Sequence, residues 1–124
     1  PAIVVIGSKN VPAPGPGAVA YSAAKAGLTQ LVRVAALELA ADNIRVNILH
    51  PDAVYDTGIW SDGVLETRAA NYGLTVSEYT TRNLLKTAVS SQEVAALVEA
   101  LAGPLFARTT GAQIPIDGGN DRVV

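Results

Sequence analysis

The sequence predicts an α/β fold, a parallel sheet with helices on its faces, and three features carry that reading. A continuous β-branched run opens the chain, a long alanine-rich helical segment follows it, and strand and helix signals then alternate to the end. The order is strand, helix, strand, irregular insert, helix, strand, which implies crossover connections between parallel strands. In such sheets ligands bind beyond the carboxyl ends of the strands.

Ala2-Ile3-Val4-Val5-Ile6, closed by Gly7, has the pattern of a strand buried on both faces. Ser8-Lys9-Asn10 stands at its carboxyl end. Residues 11–17 hold three prolines and two glycines and must be a loop, which would bring Tyr21 to the strand ends if it folds back over the rim of the sheet. From about 19 to 41 the pattern turns helical, with Ala24, Leu28, Leu31, Val32, Ala35 and Leu39 on one face. Ala26, Val34 and Leu37 make the opposite side apolar too. That helix is expected to be covered on two sides, by the sheet and by another helix or subunit.

Asp42-Asn43 ends the helix, and 44–49 reads as a second strand stopped by His50-Pro51. Residues 52–87 form an irregular substrate-loop insert with Gly58, Gly63, Gly73 and the single tryptophan, Trp60. Helices are expected within it around 65–72 and 76–85. Ser90-Ser91-Gln92-Glu93 is a capping box, and Val94, Leu97, Val98 and Leu101 line the helix it starts. That helix should end near Gly103-Pro104. A last short strand over 112–117 leads into Gly118-Gly119.

The bulk numbers narrow the function. The 124 residues suit one domain, and 49% hydrophobic against 16% charged residues means a packed core rather than disorder. A net charge of -2 and a pI near 5.2 give no electrostatic footprint for nucleic acid or an anionic membrane. With no cysteine there is neither a disulfide framework nor a thiolate metal site, which fits a reducing, cytoplasmic setting. No apolar run approaches the roughly 20 residues of a membrane span. The opening Pro-Ala-Ile-Val-Val-Ile has no initiator methionine and no basic n-region, so a piece of a longer protein is expected.

The chemistry centres on Tyr21 and Lys25. Four residues apart on a helix, they lie on one face, one turn from each other. A nearby ammonium and the positive end of the helix dipole both favour the phenolate, which lets a tyrosine exchange a proton near neutral pH. Chance also supplies this spacing often, so the neighbours decide. Ser8, 52–57 and Gly118-Gly119 all fall at the carboxyl ends of the strands, where Tyr21 can join them.

Ser8 lies thirteen residues before Tyr21, and this spacing, in its strand–loop–helix context, resembles the short-chain dehydrogenase/reductase family. Ile44-Arg45-Val46-Asn47 followed by Pro51 is similar to that family's next strand and turn, and Thr110-Gly111 through Asp117-Gly118-Gly119 to its closing strand. The resemblance implies roles. Tyr21 would be the acid/base, Lys25 would assist it and hold the nicotinamide ribose, and Ser8 would hold the substrate oxygen. Tyr21, Lys25, Pro51, Asp52 and Val54 would contact the cofactor, with Val54 presenting backbone groups to the carboxamide. Thr57 and Trp60 are candidates for the substrate side. No metal is implied.

Two departures stand out. The family's Pro-Gly turn is Pro51-Asp52 here, and the threonine five residues past the proline is displaced to Thr57, with Asp56 in its place. The runs His50-Pro51-Asp52-Ala53-Val54, Gly58-Ile59-Trp60-Ser61, 68–73 and Leu84-Leu85-Lys86 resemble a narrower group. These are the dehydrogenase domains of bifunctional rhamnulose-1-phosphate aldolase/alcohol dehydrogenase proteins. That implies a small aldehyde or alcohol such as lactaldehyde, and an aldolase domain upstream. The family's glycine-rich phosphate turn has no counterpart in this sequence. Residues 1–124 thus look like the C-terminal half of a Rossmann-type doubly wound sheet, expected to need its N-terminal half for activity. The cofactor would be NAD or NADP, NAD being the expectation, and the assembly a homo-oligomer, dimer or tetramer.

His50, the only histidine, reads as mainly structural. Trp60, Tyr72 and Tyr79 could form a lid or ordinary core, and Glu66, Glu78 and Glu99 read as solvated faces. Asp117-Gly118-Gly119-Asn120-Asp121 reads as a turn rather than a calcium site. Two other classes stay open: a non-catalytic oligomerisation module built on the long helix, and a Schiff-base lyase using Lys25.

Overall fold

The computed structural model describes residues 1–120. Three strands, β1 (Ala2–Ile6), β2 (Arg45–Pro51) and β3 (Gln113–Ile116), form one parallel sheet in the order β1-β2-β3. Helices α1 (Val19–Glu38), α2 (Asp62–Asn71), α3 (Val76–Thr80) and α4 (Ser91–Ala102) fill the connections. The expected α/β class and element order are those observed.

The strand buried on both faces is β2, not β1. Val46 through His50 are all buried, whereas Ile3 and Ile6 of β1 are each 42% exposed. β2 takes the centre of the sheet, so both helical layers meet over it, and β1 is left on an edge with partial cover. Side chains alternate across β2. Val46 and Ile48 pack with Val32 and Ala36 of α1, and Val5, Ala35, Leu39 and Ile44 surround them. Each fully buried aliphatic side chain of this kind contributes roughly 2 kcal/mol. On the other face, Arg45 donates to the carbonyls of Leu101 and Ala102 at 2.8 and 3.0 Å, capping the end of α4. Buried Asn47 donates to the Thr109 carbonyl and accepts from the Ala112 amide, fixing the approach to β3.

β2 also runs two residues further than expected. Pro51 lacks an N–H but its carbonyl still accepts from Lys9 N at 3.0 Å, so the ladder continues through it. Among the described residues α1 is covered by the sheet on one side, with Leu31 60% and Leu37 80% exposed. It closes in a 3-10 turn, Leu39–Asp42, ended by Asn43 in the left-handed region at φ 58.

In the insert, α2 starts earlier and α3 ends sooner than the pattern suggests. The amides of Leu84 and Leu85, which a longer α3 would use internally, donate instead to the carbonyls of Gly119 and Gly118. Thr75 and Glu78 form a capping box that starts α3, so Glu78 is a capping residue as well as a solvated one. The Ser90–Glu93 box starts α4 as expected.

Candidate active site

The carboxyl ends of the three strands meet on one rim. Lys9 N reaches the Pro51 carbonyl at 3.0 Å, and Asp52 N reaches that of Ile116 at 3.1 Å. Above these backbone links, Lys9 Nζ and Asp117 Oδ2 pair at 2.7 Å with both side chains buried. The pair joins the ends of β1 and β3, the two strands that flank β2. Burial pushes the Asp117 carboxyl up, but the Lys9 ammonium and the Gly119 amide outweigh it and hold the group below its ordinary value.

Tyr21 and Lys25 stand in the first two turns of α1. This helix has no side-chain N-cap, so its free first-turn amides concentrate the positive dipole end beside Tyr21. Lys25 Nζ lies 5.9 Å from the centre of the Tyr21 ring and donates to the Ile6 carbonyl at 3.1 Å. Tyr21 itself is 51% exposed. Two residues past Ser8, the Asn10 Oδ1 accepts from Ser22 Oγ of α1. The start of α1 is therefore fastened to the β1 rim on both sides of Ser8.

Ser8 is buried, and its backbone and side chain are both held. Its amide donates to His50 Nδ1 at 3.2 Å, and its Oγ accepts from Asn10 N at 3.1 Å. His50 completes its own bonding with Gln113 on β3 at 3.1 Å.

After Pro51 the chain turns sharply, with Ala53 in the left-handed region at φ 60. Val54 then forms an isolated parallel bridge with Val89, in which the Ala53 carbonyl accepts from Val89 N at 3.0 Å. Asp52 Oδ2 accepts from Asn120 at 3.0 Å, so the carboxylate that replaces the family's glycine ties β2 to the segment after β3. Asp56 accepts from the amide and hydroxyl of Ser91 at the start of α4, and that amide lowers its pKa. The displaced threonine is thus explained: position 56 serves α4, and Thr57 is exposed.

Trp60 packs edge-on to Tyr55 at 5.1 Å, Tyr55 meets Tyr79 at 5.9 Å, and the Arg82 guanidinium lies 4.7 Å from both Tyr72 and Tyr79. Tyr79 is buried within this group, and burial raises the pKa of Tyr55 and Tyr79. Tyr55 and Arg82 carried no sequence signal, because their partners lie on separate turns of an irregular segment. Asp117 uses its oxygens on Lys9 and Gly119, as a closing turn would; Asp121 lies outside the described residues. A hollow of about 550 Å³ lies at the opposite end of the sheet beside Pro1, Arg45 and Gly103. It touches none of Ser8, Tyr21 or Lys25, and the guanidinium of Arg45 is already engaged by helix-end carbonyls.

The parallel α/β sheet, with Ser8 following β1 and Tyr21 and Lys25 in the first turns of α1, has counterparts among known proteins. The family described as enoyl-(acyl carrier protein) reductase matches residues 1–121. The chain belongs to the short-chain dehydrogenase/reductase family. It is 37% identical over 122 residues to the uncharacterized oxidoreductase YuxG of Bacillus subtilis, covering 94% of this chain and 18% of that protein. Sorbitol-6-phosphate 2-dehydrogenase SrlD from Erwinia amylovora superposes with a TM-score of 0.85 at 29% identity, covering 95% of this chain and 47% of the other. An NADPH-bound short-chain oxidoreductase from Pseudomonas aeruginosa PAO1, described as containing an atypical catalytic center, gives 0.81 at 32% identity, covering 99% and 47%. The chain therefore spans less than half the length of these relatives.

Proposed function

We propose that this chain is the proton-handling half of an oxidoreductase that moves hydride between NAD(P) and a small alcohol or aldehyde. The observation that carries the reading is the fastening of α1 to the β1 rim on both sides of Ser8, by Lys25 to Ile6 and by Ser22 to Asn10. Tyr21 exchanges the proton of the substrate oxygen, and the Lys25 ammonium stands one turn away on the same helix face. Ser8 Oγ accepts from Asn10 N, which leaves its own hydrogen to donate to that same oxygen. Two donors aimed at one oxygen stabilise the charge that develops there.

A nicotinamide cofactor fits the donor set. Lys25 has three N–H bonds and gives one to Ile6, so two remain for vicinal ribose hydroxyls. The Pro51-Asp52 turn would lie beside the nicotinamide. The Val54–Val89 bridge works through the Ala53 carbonyl, so the amide and carbonyl of Val54 are available for a carboxamide. When bound, the cofactor supplies or accepts the hydride. NAD is the first choice, and the NADPH of the Pseudomonas relative keeps NADP in the comparison. Thr57 and Trp60, on the insert, complete the substrate side.

The sequence has no glycine-rich phosphate turn, and relatives roughly twice as long support placing that turn in a preceding half, without which this chain is inactive. A fused aldolase domain and lactaldehyde as substrate rest on the subgroup motifs, and the 18% coverage of YuxG supports a longer polypeptide. The absence of cysteine suits action in the cytoplasm. The test is hydride transfer by a polypeptide carrying both halves, followed by reduced-nicotinamide absorbance with NAD or NADP and a panel of small alcohols and aldehydes. Turnover with a member of the panel is expected, and none by residues 1–124 alone. No turnover with any pair, together with borohydride labelling of Lys25 by a carbonyl compound, would favour the lyase instead.

A second reading has its own observation. Leu31, Val34 and Leu37 present an exposed apolar stripe on α1, which favours self-association through that face as a dimer or tetramer. Sedimentation of the intact protein and of a Tyr21/Lys25 double variant separates assembly from chemistry.

A further inference from the structure

We infer that His50 and Asn10 are positioning residues that set where the Ser8 hydroxyl stands relative to Tyr21. The inference rests on the reading above, in which Ser8 and Tyr21 address one substrate oxygen. A single hydrogen-bonded line crosses the rim: Gln113 on β3, His50 on β2, Ser8 after β1, Asn10, and Ser22 on α1, next to Tyr21.

The two ends of the line do different work. The Ser8 amide can only donate, so His50 Nδ1 must be its unprotonated acceptor, and the neutral ring then carries its hydrogen on Nε2 toward Gln113 Oε1. One tautomer satisfies both neighbours, and it fixes the backbone of Ser8. The ring reaches that amide only because residue 7 is glycine. A Cβ there would stand 2.7 Å from His50 Nδ1 and 2.9 Å from the side chain of Ile48. Asn10 holds the other end. Its amide fixes the Ser8 Oγ at 3.1 Å, and its Oδ1 receives the Ser22 hydroxyl. The hydroxyl of Ser8 and the helix that carries Tyr21 are thereby joined through one residue, by its backbone N–H on one side and its side chain on the other.

The variants separate positioning from folding, and are made in the polypeptide that carries both halves. Asn10→Ala keeps the backbone amide on Ser8 Oγ but cuts the link to Ser22. It should lower kcat by about tenfold to a hundredfold, the scale of an ångström of misplacement, with the cofactor KM unchanged. Asn10→Asp restores the acceptor and should recover most of the loss. His50→Asn keeps an acceptor in the place of Nδ1 and should outperform His50→Leu in kcat. If His50→Leu does not fold, the Asn10 pair decides. Wild-type kcat in Asn10→Ala, or no recovery in Asn10→Asp, would overturn the inference. Ser8→Ala separates the two levels. If it keeps full turnover, the reading of the site fails. If it abolishes turnover while Asn10→Ala and His50→Leu do not lower it, only the positioning role fails.

Discussion

Lys25 Nζ donates to the Ile6 carbonyl at 3.1 Å, fastening one side chain of α1 to β1 two residues before Ser8. The lysine thus has an architectural duty besides its charge. Lys25→Met removes both the donor and the charge beside Tyr21. It should cost about a hundredfold or more in kcat/KM, on the scale of a lost acid–base contribution. Cofactor affinity should also fall. Lys25→Arg keeps the charge but not the compact ammonium, and should recover only part of the loss. Steady-state kinetics with the cofactor varied checks both.

The Lys9–Asp117 pair is buried, so breaking it and removing it are different experiments. Lys9→Met leaves a buried carboxylate without its cation and should destabilise by about 3 kcal/mol, whereas Lys9→Met with Asp117→Leu should regain most of that. Thermal unfolding reads both. The pH dependence follows from the lowered Asp117 pKa. Its contribution is fully present above the ordinary carboxylate value of 3.8 and is lost as pH falls through the lower folded-state value. Asp117→Asn should flatten that acid limb.

Gly118 is held at φ 66, and a Cβ there would stand 2.5 Å from the amide of Asn83. That amide cannot simply move aside, because it bonds the Thr87 carbonyl and amide at 2.6 and 3.0 Å. Gly118→Ala should therefore cost about 1–3 kcal/mol in backbone strain alone and loosen the 83–87 turn. Denaturant unfolding measures the first. Faster amide exchange at Leu84 and Leu85, whose partners are the Gly119 and Gly118 carbonyls, reports the second.

Local rules carried much of the fold. The 3.6 period found α1, and the Ser90–Glu93 box placed the start of α4. Where partners are distant in sequence, the local reading went astray. The end of α3 depends on glycine carbonyls more than thirty residues away, and the extension of β2 depends on Lys9. An apolar run cannot tell a central strand from an edge strand, so two-sided burial was expected of β1 when it belongs to β2. At the site, the Ser8, Tyr21 and Lys25 spacing was legible because one strand end and one helix face fix it. His50, Asn10 and Asp117 act through neighbours brought in from other elements. A lone histidine at the end of a buried strand was the only hint of the first.

The central claim is that Tyr21 moves the proton. Tyr21→Phe, made in the polypeptide that carries both halves, keeps the ring and removes only the hydroxyl. Turnover should fall by at least about a hundredfold while cofactor binding, read by fluorescence titration, stays as in the wild type. Unchanged turnover in that variant would contradict the account.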